Sequence, residues 1–180
     1  SILGEYWLSY VVPHWSEYGT GKANMSRGLQ PPFSGSYHNH NKDSCGCFIR
    51  SEIWACLAPG HPELAVRYAF EDAICDHGDE GLYAEIFCAA VKSAAFAESD
   101  RDTLIDIGLS YIPADCAIAL AVRTAQDCVK QGLNWKEARV KILQAVPCSF
   151  GMLTGYQDRT PEPEIPAGRL GFDAPANIGI

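Results

Sequence analysis

The segment from about Glu80 to Ala97 constrains the fold most, because nearly all of its side chains are small or apolar. A helix that is apolar on most of its sides is stable only when other helices surround it. The many alanines in the segment would let neighbouring backbones approach closely. The segment therefore predicts a central helix inside a bundle. Its small and apolar residues are Ala84, Ile86, Phe87, Cys88, Ala89, Ala90, Val91, Ala94 and Ala95.

Helical periodicity recurs on both sides of this segment, and no stretch alternates convincingly with the period of two that a strand requires. The predicted helices cover approximately 1–18, 44–57, 62–76, 102–111, 115–131 and 134–146. Asn134 and Glu137 form a capping-box pattern at the start of the last of these. The segment 19–36 is rich in Gly, Pro and Ser, and the segment 148–176 is rich in Pro. Both are expected to be loops. The fold class predicted is all-α.

Length and charge exclude several classes of function. The chain has 180 residues and a net charge of -8, which suits one domain without a basic surface. Nucleic-acid backbones and anionic membranes are therefore not expected partners, since both require basic patches. No apolar run approaches the ~18 residues of a membrane-spanning helix. The oligomeric state is left open by the sequence.

Eight cysteines could suggest a disulfide scaffold, but the chain is too long and too rich in core residues for one. Several lie within apparent helices, where a free cysteine behaves as a small apolar side chain. Reduced cysteines and a cytoplasmic location are the expectation. The cysteines assigned to helices are Cys56, Cys75, Cys88, Cys116 and Cys128.

Residues 46–100 carry a recognisable pattern. They read GCFIRSEIWACLAPGHPELAVRYAFEDAICDHGDEGLYAEIFCAAVKSAAFAESD, and LSYIP follows at 109–113. This stretch resembles the middle of the ADP-ribosylglycohydrolase family, and PANIG at 175–179 resembles the approach to that family's last core helix. The resemblance implies a compact, orthogonal multi-helix domain. We expect residues 1–180 to be a single helical domain from the interior of a longer domain of this kind.

The resemblance also implies a cofactor. The fullest members of the family hold two Mg²⁺ ions between an early Thr-Asp-Asp cluster and a late Asp-x-Asp-Thr cluster. The early cluster would precede Ser1 and the late cluster would follow Ile180. We therefore expect the Mg²⁺ ligands and the catalytic residues to lie outside this chain, and no turnover by these 180 residues alone.

Two short stretches correspond to the substrate-facing part of the family. In the first, Ser44 and Gly46 lie in a glycine turn that enters a helix, where free backbone amides can bind a phosphate. In the second, the resemblance places His77, Gly81 and Tyr83 against the ribose or the base. A plain helix start and a histidine that only caps the preceding helix are the alternatives.

Two other chemical readings of the same region are weaker. The acidic residues at 76, 79 and 80 could act as a pair of carboxylates in glycoside hydrolysis, although acids at a helix start are more often caps. The second reading is a structural zinc site, whose ligand spacing departs from the common motifs. Its four candidate ligands are His38, His40, Cys45 and Cys47.

The function implied by the resemblance is metal-dependent hydrolysis of the glycosidic bond between ADP-ribose and an acceptor, with this chain supplying walls of the substrate cleft. The expected partner is an ADP-ribose-containing small molecule or an ADP-ribosylated protein. The alternative is a helical binding or scaffold module that keeps the fold without the metal centre. The sequence does not identify the acceptor.

Overall fold

The computed structural model describes residues 2–11, 15–146 and 173–180, and all regular elements in this part of the chain are helices. The all-α prediction is therefore confirmed. The helices are α1 (Ile2–Tyr10), α2 (Ser16–Ser26), α3 (Phe33–Ser36), α4 (Glu52–Leu57), α5 (Pro62–Ala73), α6 (Asp79–Ala94), α7 (Arg101–Ser110), α8 (Ala117–Lys130), α9 (Trp135–Ala145) and α10 (Ala174–Gly179), with a short 3-10 helix at Phe48–Arg50.

Helix α6 lies at the centre of the fold, as its composition predicts. It packs against α4, α5, α7, α8, α10 and the 3-10 helix. Its small residues Ala84, Ala89 and Ala90 are fully buried. Helix α5 meets it through a second row of small side chains, among them Ala65 and Ala69. Alanines facing one another bring the two helix backbones close together, which explains the extensive contact between α5 and α6.

The prediction of a loop over 19–36 is wrong, because the segment contains most of α2 and the whole of α3. Gly21 and Gly35 serve close packing, whereas Gly28, with φ +89°, forms the turn after α2. A side chain at Gly21 would come within 2.6 Å of the Cys75 carbonyl oxygen. Asn24 then ties the two helices together, since its amide donates to the backbone oxygens of Ser34 and Tyr37 at 2.9 and 2.8 Å.

The helix boundaries also differ from the sequence prediction on either side of α6. The helix expected from residue 44 begins at Glu52 and is preceded by the 3-10 helix. Residues 174–176 belong to α10 rather than to a loop, while 147–172 lie outside the described residues. The capping box of Asn134 and Glu137 is confirmed at the start of α9.

No helix in the described part of the chain combines the length and the apolar character that crossing a membrane requires. Every cysteine in that part is a free thiol. Cys56, Cys88 and Cys128 lie within helices as predicted, whereas Cys75 follows the end of α5 and Cys116 precedes the start of α8.

Candidate functional site

The segment 41–47 crosses the start of α6 and is held there by hydrogen bonds to backbone N–H groups. The Asp43 side chain accepts the N–H group of Glu80 at 3.1 Å, which caps the helix. The Lys42 carbonyl accepts the N–H of Gly78 at 3.2 Å. The Asp43 carbonyl accepts the N–H of Ala174 at 2.9 Å, so α10 is held at the same place. We name residues 41–47 the capping segment.

Ser44 and His77 meet beneath the capping segment. The Ser44 Oγ atom lies 3.1 Å from His77 Nε2, and it also accepts the backbone N–H of Gly46 at 3.3 Å. Ser44 is 4% exposed and His77 is 1% exposed. Neither side chain is a surface group, and the ring of His77 joins the capping segment to the turn before α6.

Asp76 lies on the other side of the His77 ring. Its Oδ1 atom is 2.9 Å from His77 Nδ1. The N–H direction is not aligned for a regular hydrogen bond, so this contact is chiefly electrostatic. Burial alone would raise the pKa of Asp76, but the adjacent His77 ring and the charge and hydrogen bonds of Arg50 outweigh it and lower that pKa. Asp76 is therefore a buried carboxylate that stays ionised.

Arg50, in the 3-10 helix, supplies the positive charge of this cluster. Its guanidinium donates to Asp76 at 2.7 and 3.1 Å and to Asp72 at 2.7 Å. The rings of Trp7 and Tyr18 flank it, with centroids 5.6 and 5.5 Å from the guanidinium carbon. Burial alone would lower the pKa of Arg50, but the two aspartates hold it well above its ordinary value.

Two glycines allow the capping segment to lie against α6 and α2. A side chain at Gly46 would overlap the Glu17 carboxylate and come within 3.1 Å of His77 Cε1. One at Gly81 would overlap the Lys42 carbonyl and come within 2.8 Å of His77 Cδ2. At Gly81 the obstacle is backbone, so only a residue without Cβ fits, whereas at Gly46 the buried Glu17 side chain would have to move. Four of the five residues predicted for substrate binding, Ser44, Gly46, His77 and Gly81, therefore lie together.

Tyr83, the fifth predicted residue, lies apart from this group. It is partly buried against the main hydrophobic cluster, which includes Ile112, Cys116 and Ile118. Burial raises the pKa of Tyr83, and the charges of Asp79 and Glu80 raise it further. Tyr83 therefore joins α6 to the start of α8 rather than to the capping segment.

The three acidic residues near the start of α6 act separately. Asp76 pairs with Arg50, and Asp79 pairs with Lys42 at the helix start. Glu80 accepts the backbone N–H groups of Ala117 and Ile118, at 2.9 and 3.1 Å, and so caps α8. Of the three, only Glu80 is a cap, and the helix it caps is α8 rather than α6.

The sequence reading missed Arg50, Asp72 and Glu85. Glu85 is fully buried in α6, and neither of its carboxylate oxygens makes a regular hydrogen bond. Burial raises its pKa well above the ordinary value; Arg50 acts in the opposite direction, while Asp72 and Asp76 raise it further. The signal was present, since Glu85 is an isolated acid in an otherwise apolar segment and Arg50 interrupts an apolar run. A buried charge of this kind requires partners elsewhere in the chain.

The described residues offer no metal site. Within residues 2–11, 15–146 and 173–180, no three histidine, cysteine or acidic side chains are arranged to hold an ion. Cys47, a candidate zinc ligand, donates instead to the Gly81 carbonyl at 2.8 Å. The Mg²⁺ pair implied by the resemblance does not fit this part of the chain either.

One stretch within the chain does have the pattern of the late family cluster, contrary to the expectation that this pattern lies outside it. Asp100-Arg101-Asp102-Thr103 spells Asp-x-Asp-Thr. The structure places it at the exposed start of α7, where Asp100 accepts the N–H and the hydroxyl of Thr103 at 2.8 and 2.7 Å. Asp100 is therefore the N-cap of α7, and this capping role accounts for the Asp-x-Asp-Thr pattern without a metal.

The fold and the site define an all-helical domain. Its central helix, α6, is capped by the capping segment, which the buried Arg50, Asp76 and His77 hold in place. A family model described as ADP-ribosylglycohydrolase matches residues 6–174. The chain belongs to the ADP-ribosylglycohydrolase family, a family of hydrolases. Comparison with curated proteins and with solved structures gave no significant match.

Proposed function

We propose that this chain acts in hydrolysis of the glycosidic bond between ADP-ribose and an acceptor, and that the capping segment forms one wall of the cleft that takes ADP-ribose. The substrate is an ADP-ribose-containing small molecule or an ADP-ribosylated protein. Family membership over residues 6–174 supports the reaction class. The observation that carries the placement is the glycine-lined capping segment, which is fixed over the start of α6 by Ser44 and His77.

The parts of this wall have different roles. We assign the backbone around Ser44 and Gly46 to the phosphates. The ligand would meet the outer side of this segment, because the space that a Gly46 side chain would fill is already taken by Glu17 and His77. His77 supports the wall from behind, since its ring is enclosed and its Nε2 atom is already bound to Ser44. Gly81 lets the wall lie against α6, and Tyr83 borders the cleft on the side of α8 for the ribose or the base.

Mg²⁺ would position a water and the ribose hydroxyls in a reaction of this class. The described residues do not offer its ligands, so no part of the role proposed for this chain depends on the metal. The chain's own contribution is to bind and orient the ADP-ribose group.

Calorimetric titration of the 180-residue chain with ADP-ribose tests this proposal. We expect saturable binding with a Kd in the range of roughly 1 μM to 1 mM, as is usual for enzyme substrates. AMP is the matched control, because it lacks the second phosphate and the terminal ribose, and it should bind at least about tenfold more weakly. Equal affinity for the two ligands, or no binding of ADP-ribose, would contradict the proposal.

Turnover is measured in the same preparation with Mg²⁺ and an ADP-ribosylated peptide. Release of ADP-ribose would establish hydrolysis by this chain directly. Binding without release would assign the chain the role of a cleft wall or of a binding module, and would direct the search for the metal ligands to other segments.

A further inference from the structure

The Ser44 hydroxyl carries one hydrogen and faces His77 Nε2 and the Gly46 N–H, and a more distant residue sets the direction of that hydrogen. Asp76, on the far side of the His77 ring, is an ionised carboxylate and can only accept. The ring nitrogen that faces it, Nδ1 at 2.9 Å, therefore carries the proton. In a neutral imidazole the opposite nitrogen is then an acceptor.

The consequence for Ser44 follows from hydrogen-bond complementarity. Its hydroxyl must donate to His77 Nε2 at 3.1 Å, which leaves the oxygen free to accept the Gly46 N–H at 3.3 Å. With the proton on Nε2 instead, the oxygen would face two donors. The serine hydrogen would then need another acceptor in a site that is 4% exposed.

We propose that Asp76 and Arg50 are positioning residues for the ADP-ribose site, because they fix the His77 tautomer and thereby the Ser44 hydroxyl and the Gly46 backbone. This inference rests on the function proposed above. Arg50 contributes by holding both oxygens of Asp76 with hydrogen bonds of 2.7 and 3.1 Å. The guanidinium also donates to the Gly46 carbonyl at 3.4 Å, while the Tyr18 hydroxyl donates to the same oxygen at 3.0 Å. The carbonyl of Gly46 is thus held by Arg50 and Tyr18, and its N–H group is held by Ser44. Both polar groups of this residue are therefore connected to the cluster of Arg50, Asp76 and His77.

Asp76→Asn in the 180-residue chain tests the proposal, with Asp72→Asn as the matched control. Both aspartates are buried and accept from Arg50, but only Asp76 contacts His77. The first readout is the tautomer of His77, from the ring nitrogen chemical shifts of ¹⁵N-histidine-labelled protein. The second is the Kd for ADP-ribose. A role limited to stability would move neither readout selectively.

We expect the unaltered chain to carry the His77 proton on Nδ1. In the Asp76→Asn variant the ionic preference for a proton on Nδ1 is lost, so we expect the Nε2 tautomer to become populated and the Kd to rise by up to roughly tenfold, which corresponds to the loss of one hydrogen bond. The Asp72→Asn variant keeps the tautomer and the affinity. Ser44→Ala serves if the Asp76 variant does not fold: it should keep the proton on Nδ1 and raise the Kd by a similar factor.

Several results would overturn the proposal. They are a doubly protonated or Nε2-protonated ring in the unaltered chain, an unchanged tautomer in Asp76→Asn, an equal effect of Asp72→Asn, or an unchanged Kd in Ser44→Ala. Failure of the unaltered chain to bind ADP-ribose is a different outcome. It would refute the proposed function itself, and the tautomer measurement would still show whether Asp76 controls His77.

Discussion

Arg50 binds Asp76 through two nitrogens, with hydrogen bonds of 2.7 and 3.1 Å to the two carboxylate oxygens, and Asp76 is completely buried. A paired fork of this kind fixes both groups in orientation as well as in distance. Since Asp76 also faces His77, the geometry of the capping segment depends on a charge pair located beneath it. The buried pair therefore connects the stability of the fold with the shape of the candidate site.

Removing Arg50 should destabilise the protein strongly. Arg50→Met keeps much of the side-chain volume but leaves Asp72 and Asp76 buried without their cation. Breaking a buried pair in this way costs about 3–5 kcal/mol. The free energy of unfolding in urea measures the loss. Arg101→Met is the control, since Arg101 pairs with Asp102 at the surface, and its loss should stay below about 1 kcal/mol. Similar losses in both variants would show that the buried pair has no special role.

The cap that Glu80 provides for α8 should be measurable on its own. Glu80→Gln retains the shape but removes the negative charge that accepts from Ala117 and Ile118. We expect a loss of about 1–2 kcal/mol in the free energy of unfolding. Glu63 also lies in the first turn of a helix, but it is exposed, so Glu63→Gln should change stability by less than about 0.5 kcal/mol. An equally small effect at Glu80 would argue against the cap.

Glu85 should make stability fall as pH rises. Its pKa is raised well above the ordinary value in the folded protein, whereas the unfolded chain releases the proton near pH 4.3, roughly the reference value. Between these two pKa values the folded state holds more protons, so the free energy of unfolding decreases with pH. Glu85→Gln removes this dependence. As the pH rises above about 4.3, the free energy of unfolding of the variant should therefore grow relative to that of the unaltered chain. The expected increase is up to about 1.4 kcal/mol per pH unit. A difference that does not change with pH would refute this assignment.

Gly81 should be intolerant of a side chain. In a Gly81→Ala variant the new methyl group would overlap the Lys42 carbonyl and crowd the His77 ring. The capping segment must then move, at a cost of about 1–3 kcal/mol. We expect loss of thermal stability together with changed amide signals for residues 42–47 in an NMR spectrum. Changes spread evenly over α9 as well would show general unfolding instead of a local shift.

The sequence was sufficient for the central helix, because the run of small residues in α6 leaves only one environment in which it is stable. The capping box at Asn134 was equally clear, since both partners lie within one turn of helix. The loop predicted over 19–36 failed for a physical reason. Glycine is typical of loops and of tight helix contacts alike, and only the position of Cys75 shows which of the two applies to Gly21.

The sequence indicated four residues that the structure brings close together, but it did not indicate which contacts hold them in place. Ser44, Gly46, His77 and Gly81 do lie together. The partners that fix them, Arg50 and Asp76, depend on contacts across 26 positions of the chain. No local pattern reports such a contact. Tyr83 shows the same limit, because a helix position adjacent to the site in sequence points to the start of α8 in space.

Titration of ADP-ribose into ¹⁵N-labelled protein, followed through the amide signals, tests the central claim most directly. We expect saturable shifts for residues 44–47 and 77–83, with the signals of α9 unchanged and with AMP producing much smaller effects at equal concentration. Shifts confined to other parts of the chain, or none at concentrations up to several millimolar, roughly the weak limit for enzyme substrates, would contradict an ADP-ribose site at the capping segment.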